Sequence, residues 1–183
     1  TIVVLNPLIA HQDYLAGNEA FTRLCEIFAP YLKRNAHVTI THDGKPIDLG
    51  AAIDRSHPFD IAGVTDEAGM AIACTGEIIE WKTNAERRRL WHLCSADGDE
   101  IGSIAAGVRA PGFNYSGYLF SDYFQVLQSK QLLEIDDLTD PTYQRIISAA
   151  KDQAREYFLN RSKERSGTII ADLKAEGIYP YEG

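Results

Sequence analysis

The apolar residues of this chain repeat with two different periods, and the change from one to the other falls near residue 121. Before it, short apolar runs and alternating apolar and polar residues predict strands. These predicted strands cover residues 2–5, about 70–82, about 87–95 and 113–120. After it, apolar residues recur every three or four positions, which predicts a short helix at about 122–133 and a long one from Pro141.

Three local signals refine the first part of the chain. An early helix carries an apolar stripe, and Pro30 inside it predicts a kink or a restart because proline cannot donate the helical hydrogen bond. Further on, Asp43-Gly44 between alternating residues predicts a two-residue hairpin turn. His57-Pro58 marks a predicted turn within a stretch of mixed pattern, which we expect to be irregular.

The second part of the chain contains a long helix with a clear start. Asp140 is predicted to cap it and Pro141 to take its first position, where no N–H is needed. The apolar stripe of this helix is formed by Tyr143, Ile146, Ile147, Ala150, Ala154, Tyr157 and Phe158. Together the elements predict an α+β fold, with a mixed, mostly antiparallel sheet, helices packed on one face and a long C-terminal helix.

We expect two structural units within this fold. Residues 1–138 form the α+β unit, and residues 139–183 form the long helix with an extended tail packed on it. The chain opens at Thr1, without Met and already inside a strand pattern. We therefore expect it to be a fragment of a longer polypeptide.

Composition narrows the class of partner. Lys and Arg number 18 against 26 Asp and Glu, and the net charge of −8 argues against binding of a nucleic-acid backbone, which requires surplus cations. The three cysteines form no C-x-x-C pair and lie in apolar runs, which is typical of reduced thiols in a cytoplasmic protein. No apolar stretch reaches the ~20 residues of a membrane span, and no histidine spacing predicts a metal site.

The candidate chemistry is limited. The chain has no G-x-S-x-G elbow and no spacing typical of a Ser-His-Asp or Cys-His site, which argues against a self-contained enzyme. A pocket lined by paired carboxylates, or by His57 and His92, would indicate an enzyme with an unfamiliar site. The dense basic cluster Arg87, Arg88 and Arg89 has two interpretations, a charged edge strand that resists aggregation or a patch that contacts phosphate or a partner.

Four segments of the chain together resemble one family. They are FTRLCEIFAPYLKRNAHVTITHDGKPID, IIEWKTNAERRRLWHLCSADGDEI, VRAPGFNYSGYLF and DLKAEGIYPYEG. In this order they are similar to the region after the ATPase domain in bacterial ATP-binding proteins of the GHKL superfamily. These are relatives of gyrase B, histidine kinases, MutL and the ninety-kilodalton heat-shock chaperone. The resemblance covers most of residues 20–183, and GIYPYEG and the aromatic APGFN segment are its most distinctive parts.

The resemblance implies a middle, or transducer, domain with a fold similar to ribosomal protein S-five domain two. In such proteins the preceding domain holds ATP and Mg²⁺. The fragment itself would then hold no cofactor, and its own N-terminal ATPase domain would be its first partner. The transducer carries the nucleotide-driven movement onward to partners. A second hypothesis is a protein–protein interaction or homodimerisation module that uses the aromatic tail and the long helix, with no role for nucleotide.

The resemblance also implies a phosphate contact. The transducer lends one Lys or Arg to the γ-phosphate of ATP, where a cation supplied from outside stabilises the developing charge. In the heat-shock chaperones this arginine follows a strand, where a helix starts. The matching position here is Ser121-Asp122, which has no Arg, and Lys82 and Lys130 are the substitutes within reach.

Overall fold

The computed structural model of the protein describes residues 17–82, 89–133 and 140–175. Its first helix, α1 (Gly17–Arg34), carries the predicted apolar stripe, of which Cys25 and Leu32 are buried. The helix runs through Pro30 to its end. The restart predicted as one possibility at this proline therefore does not occur.

The predicted hairpin is confirmed. Strand β1 (Thr41–His42) pairs antiparallel with β2 (Lys45–Pro46), and the two form a small sheet of their own. The turn residues Asp43 and Gly44 have φ angles of 48° and 72°, so both lie in the left-handed region. Aspartate followed by glycine tolerates this backbone, and such a turn matches the twist of the flanking strands.

A nine-residue strand occupies the stretch that was predicted to be irregular. After the short helix α2 (Leu49–Ala52), strand β3 (Ile53–Ile61) pairs antiparallel with β4 (Cys74–Trp81). The turn predicted at the His-Pro pair is therefore wrong, and so is the irregular stretch, predicted over residues 50–68, as far as residue 61; residues 62–68 belong to no helix or strand. Pro58 fits within the strand because β3 is at the edge of the sheet, where a missing N–H need not break the ladder.

The main sheet has five strands in the order β3-β4-β7-β5-β6. Its remaining strands are β5 (Leu90–Cys94), β6 (Glu100–Ala105) and β7 (Tyr115–Phe120). The β5–β7 pair is parallel and the other three pairs are antiparallel, which confirms the mixed, mostly antiparallel sheet. Because β7 lies between β4 and β5, these two strands are not neighbours although a short charged segment joins them.

Two helices follow the last strand, α3 (Tyr123–Ser129) and α4 (Pro141–Ala175). The predicted start of α4 is confirmed, since Oδ1 of Asp140 accepts a hydrogen bond of 2.7 Å from the backbone N–H of Tyr143. With 35 residues, α4 extends over about 50 Å. Even so, no helix within the described ranges is apolar enough over a sufficient length to cross a membrane.

The helices cover both faces of the sheet. Successive residues of a strand point to opposite sides, and Ile78 and Ile79 of β4 are both fully buried. Ile78 packs in the core formed with α3 and α4, whereas Ile79 packs in the core formed with α1. The α+β class and the long C-terminal helix are confirmed. The prediction that the helices lie on one face is wrong, because the central strands are apolar on both sides.

Candidate functional site

A buried cluster joins the longest helix to a central strand. We call Glu80, Tyr157 and Arg161 the β4–α4 cluster. Glu80 and Arg161 expose only 4% and 8% of their surface. Arg161 donates through Nε to Oε1 of Glu80 at 2.7 Å and through Nη2 to Oε2 at 3.1 Å, a two-point pairing. Tyr157 donates its hydroxyl to the same carboxylate, so Glu80 is held from two positions on α4.

The protonation states of this cluster follow from its contacts. Burial alone would raise the pKa of Glu80, but the hydrogen bonds from Arg161 and Tyr157 outweigh it and lower the pKa below its ordinary value. The bond to Glu80 raises the pKa of Arg161, and burial together with this carboxylate raises the pKa of Tyr157. Glu80 is therefore an ionised carboxylate already occupied by donors, which suits it to hold α4 rather than to act as a general base.

A second cluster, formed around the buried His92, joins α1 to the opposite face. The Nδ1 of His92 lies 2.8 Å from Oε1 of Glu100, and its Nε2 lies 3.6 Å from Oε1 of Glu26. The second distance exceeds a hydrogen bond, so Glu26 acts through its charge. The imidazole also stacks on Tyr118, with 4.9 Å between ring centres. Burial alone would lower the pKa of His92, but the two carboxylates raise it to about 9, so His92 is a cation at neutral pH.

Pro30 leaves one carbonyl of α1 without its helical donor, and a side chain of the sheet supplies another donor. Because proline has no N–H, the carbonyl of Glu26, four residues earlier, loses its helical donor. The hydroxyl of Tyr118 donates to this carbonyl at 2.7 Å. Ser116 donates to the carboxylate of Glu26 and accepts from Nε1 of Trp81 at 3.0 Å. The sequence analysis missed this site, although Pro30 inside a helix was a signal that one buried carbonyl would need an outside donor.

An open cleft of about 400 Å³ lies beyond the end of α1. Its walls include Arg34, Asp60, Glu77 and Phe120. The buried Glu77 is paired with Lys33 of α1, and the guanidinium of Arg34 lies 3.5 Å from the centre of the Phe120 ring. The cleft thus carries both a cation and a carboxylate, and its charge favours neither an anionic nor a cationic ligand.

The two candidate lysines belong to different parts of the fold. Lys82 directly follows β4, is exposed, and donates through Nζ to the carbonyl of Gly50 at 2.9 Å. Lys130 directly follows α3, is exposed, and donates its backbone N–H to the carbonyl of Val126. The end of β4 lies beside the start of β7, whereas α3 begins after the end of β7. The lysines are therefore alternatives, not two parts of one site.

The basic cluster is only partly within the described residues. Arg89 is half-buried, donates through Nη2 to the carbonyl of Phe113 at 3.3 Å, and has its guanidinium 5.8 Å from the ring centre of Tyr115. It is thus engaged within the fold. Arg87 and Arg88 lie outside the described residues, as does the tail after residue 175, so the two interpretations of the cluster stay open.

Ser121 and Asp122, at the junction where β7 meets α3, both form hydrogen bonds within the fold. Ser121 is buried and donates to the carbonyl of Ala73 at 2.7 Å, and Asp122 accepts from the backbone N–H of Ala96 at 3.2 Å. Arg34 of α1 lies close to this junction, because its Nε donates at 3.0 Å to the carbonyl of Ala96, the residue whose backbone N–H donates to Asp122. The sequence analysis missed Arg34, since no local pattern relates residues 62 positions apart.

The alternative of an enzyme with an unfamiliar site gains no support from its two histidines. His57 stacks on Tyr157 of α4 at 4.5 Å, whereas His92 faces Glu26 of α1. They therefore lie on opposite faces of the sheet and do not share a pocket. Among the described residues, no group of three His, Cys, Asp or Glu side chains is arranged to hold a metal ion.

The chain matches no family model, no curated protein and no solved structure. The resemblance to GHKL proteins therefore stays a prediction.

Proposed function

We propose that the chain is a non-catalytic middle domain of a GHKL ATPase related to the heat-shock chaperones. It would couple ATP binding and hydrolysis in a preceding domain, where ATP and Mg²⁺ are held, to conformational change. The resemblance of four segments supports this proposal. The mixed sheet and the long C-terminal helix agree with it. A cytoplasmic location is part of the proposal and is in keeping with three buried free thiols.

The observation that carries the proposal is the position of Lys82 relative to Glu80. Lys82 is exposed just beyond β4, and Glu80, two residues earlier, is buried against Arg161 of α4. Only Trp81 separates the two residues, so a backbone displacement at Lys82 would act close to Glu80. A phosphate bound at this strand end would thus act on the longest helix through two residues of backbone.

Lys82 is suited to such a contact by its present partner. Its ammonium group is bonded to the carbonyl of Gly50, a neutral acceptor at the surface. A charged phosphate oxygen is a stronger acceptor and would replace this carbonyl. Lys130 is the alternative contact, since it too is exposed.

ATP turnover by the full-length protein tests the proposal. We expect Lys82→Ala to reduce turnover by at least about 10-fold, because a cation facing the developing phosphate charge is lost. Lys130→Ala tests the alternative contact, and Lys45→Ala in the small hairpin is the matched control for loss of an exposed lysine. The thermal unfolding of the 183-residue chain should be the same in all three variants. Unchanged turnover in both candidate variants would remove the γ-phosphate role.

A second candidate function, an interaction or homodimerisation module, is favoured by the outer half of α4. Ile169 exposes 57% and Ile170 exposes 39% of its surface there. Exposed large apolar residues on one helix are typical of protein contacts. Sedimentation velocity over a wide concentration range tests this function. Ile169→Asp should abolish self-association, while Val126→Asp, at an exposed apolar position on α3, should not. A chain that stays monomeric counts against a homodimer.

A further inference from the structure

We propose that the β4–α4 cluster makes β4 and α4 move as one body, so that displacement of the exposed strand end is transmitted to the outer half of α4. The inference rests on the proposed function only for the cause of the displacement, which is phosphate binding at Lys82. The linkage between β4 and α4 does not depend on that function. Arg161 and Glu80 are thus positioning residues and touch no ligand.

β4 and α4 are joined by two kinds of contact, apolar packing and an ion pair. Apolar packing between α4 and the sheet is not directional. A two-point ion pair has a defined geometry, and separating Glu80 from Arg161 would leave two buried charges without partners. The pair therefore resists relative movement of β4 and α4 more strongly than the apolar residues around it.

The pair between Glu80 and Arg161 lies where the buried part of α4 ends. Arg161 is the last buried residue of α4, and the residues after it are exposed except for Leu173, which is half-buried. The helix continues from Arg161 to Ala175 for about 20 Å. Three further contacts nearby involve exposed charged side chains: Arg165 donates to the carbonyl of Gly112, its guanidinium lies 4.9 Å from the ring centre of Phe113, and Glu164 pairs with Arg55. Such exposed charges contribute less than the buried pair. Movement imposed at Arg161 would therefore displace the whole outer half.

Single-molecule pulling on this chain tests the linkage directly. Handles are attached through Lys82→Cys, at the strand end, and Ala171→Cys, on the exposed outer half of α4. The native thiols do not interfere, because Cys25, Cys74 and Cys94 are buried. Burial also raises the pKa of Cys74 and of Cys94 to about 12, which suppresses the reactive thiolate.

The key variant is Glu80→Gln/Arg161→Met, which removes both charges together and leaves neither unpaired. The matched control is Arg155→Met, which breaks an exposed ion pair on the same helix. In the parent and the control we expect strand and helix to give way in one rupture event. In the double variant we expect α4 to detach earlier, in a separate event at lower force.

Either of two results would overturn the linkage between β4 and α4. A double variant that ruptures in one event at the parental force overturns the linkage. Should that variant be too unstable to pull, Arg161→Lys retains the charge but loses the two-point geometry, and it should detach at an intermediate force. A parental force for Arg161→Lys then overturns the linkage as well.

The full-length protein separates this inference from the proposed function. We expect Glu80→Gln/Arg161→Met to retain ATP turnover and to lose the ATP-dependent movement of the outer half of α4, measured by fluorescence transfer from Ala171→Cys. Retained movement in this variant overturns transmission through the pair. Absence of turnover in the parent counts against the proposed function, while the pulling result still decides whether the linkage exists.

Discussion

Removing the proton from His92 should loosen the attachment of α1 to the sheet. The imidazole is buried, with Glu26 of α1 on one side, Glu100 of β6 on the other and the ring of Tyr118 of β7 stacked against it. While it is protonated, its charge offsets both carboxylates. Once it is neutral, the carboxylates of half-buried Glu26 and exposed Glu100 flank a buried ring that no longer carries a charge.

The magnitude follows from the shift in pKa. The pKa of His92 is about 9 in the folded protein, against 6.5 for an unperturbed histidine. Because the folded state binds the proton more tightly, the stabilisation is fully present below pH 6.5 and is lost as the pH rises toward about 9. At 1.36 kcal/mol for each unit of pKa, this difference amounts to roughly 3 kcal/mol.

Urea unfolding across this pH range is the assay. The free energy of unfolding of the parent should decrease by roughly 3 kcal/mol from pH 6.5 to about 9. The decrease should be smaller in Glu100→Gln, which lacks the hydrogen-bonded carboxylate, and nearly absent in His92→Gln. Higher pH should be avoided, because the thiols of Cys74 and Cys94 then contribute. An equal decrease in the parent and in His92→Gln would refute the reasoning.

Other predictions concern the packing of α4 and two glycines. Arg161→Met should lower the free energy of unfolding by about 3–5 kcal/mol in guanidinium titrations, because its carboxylate partner stays buried without a cation. Arg155→Met, in an exposed pair, should change it by less than about 1 kcal/mol, and similar losses would contradict the assignment. Gly117→Ala should cost about 1–3 kcal/mol, since the new Cβ would lie 2.2 Å from the Trp91 ring. By contrast, Gly167→Ala should raise the free energy of unfolding by about 0.4–1 kcal/mol, because a Cβ at this position of α4 meets no other atom and alanine restricts the unfolded chain. The melting temperature should rise with it, and a decrease would show that the site is not open.

The sequence by itself determined the features that depend on neighbouring residues. The Asp43-Gly44 turn requires left-handed backbone at two adjacent positions, and the residues that tolerate it are visible in the chain. The start of α4 is set by Asp140 and Pro141, whose capping and fixed φ act within one turn. The change to a helical period after β7 also follows, because period is a local property.

The tertiary structure decided the features that depend on distant residues. β3 was missed because Pro58 is a breaker in most strands and is accepted here only at a sheet edge, which the order of strands creates. The placement of helices on both faces likewise required knowledge of which strands are central. Glu80 and Arg161 are 81 positions apart, and so no periodicity could pair them. Glu80, Arg161 and His92 are buried beside opposite charges only in the folded molecule, because burial is a property of the whole structure.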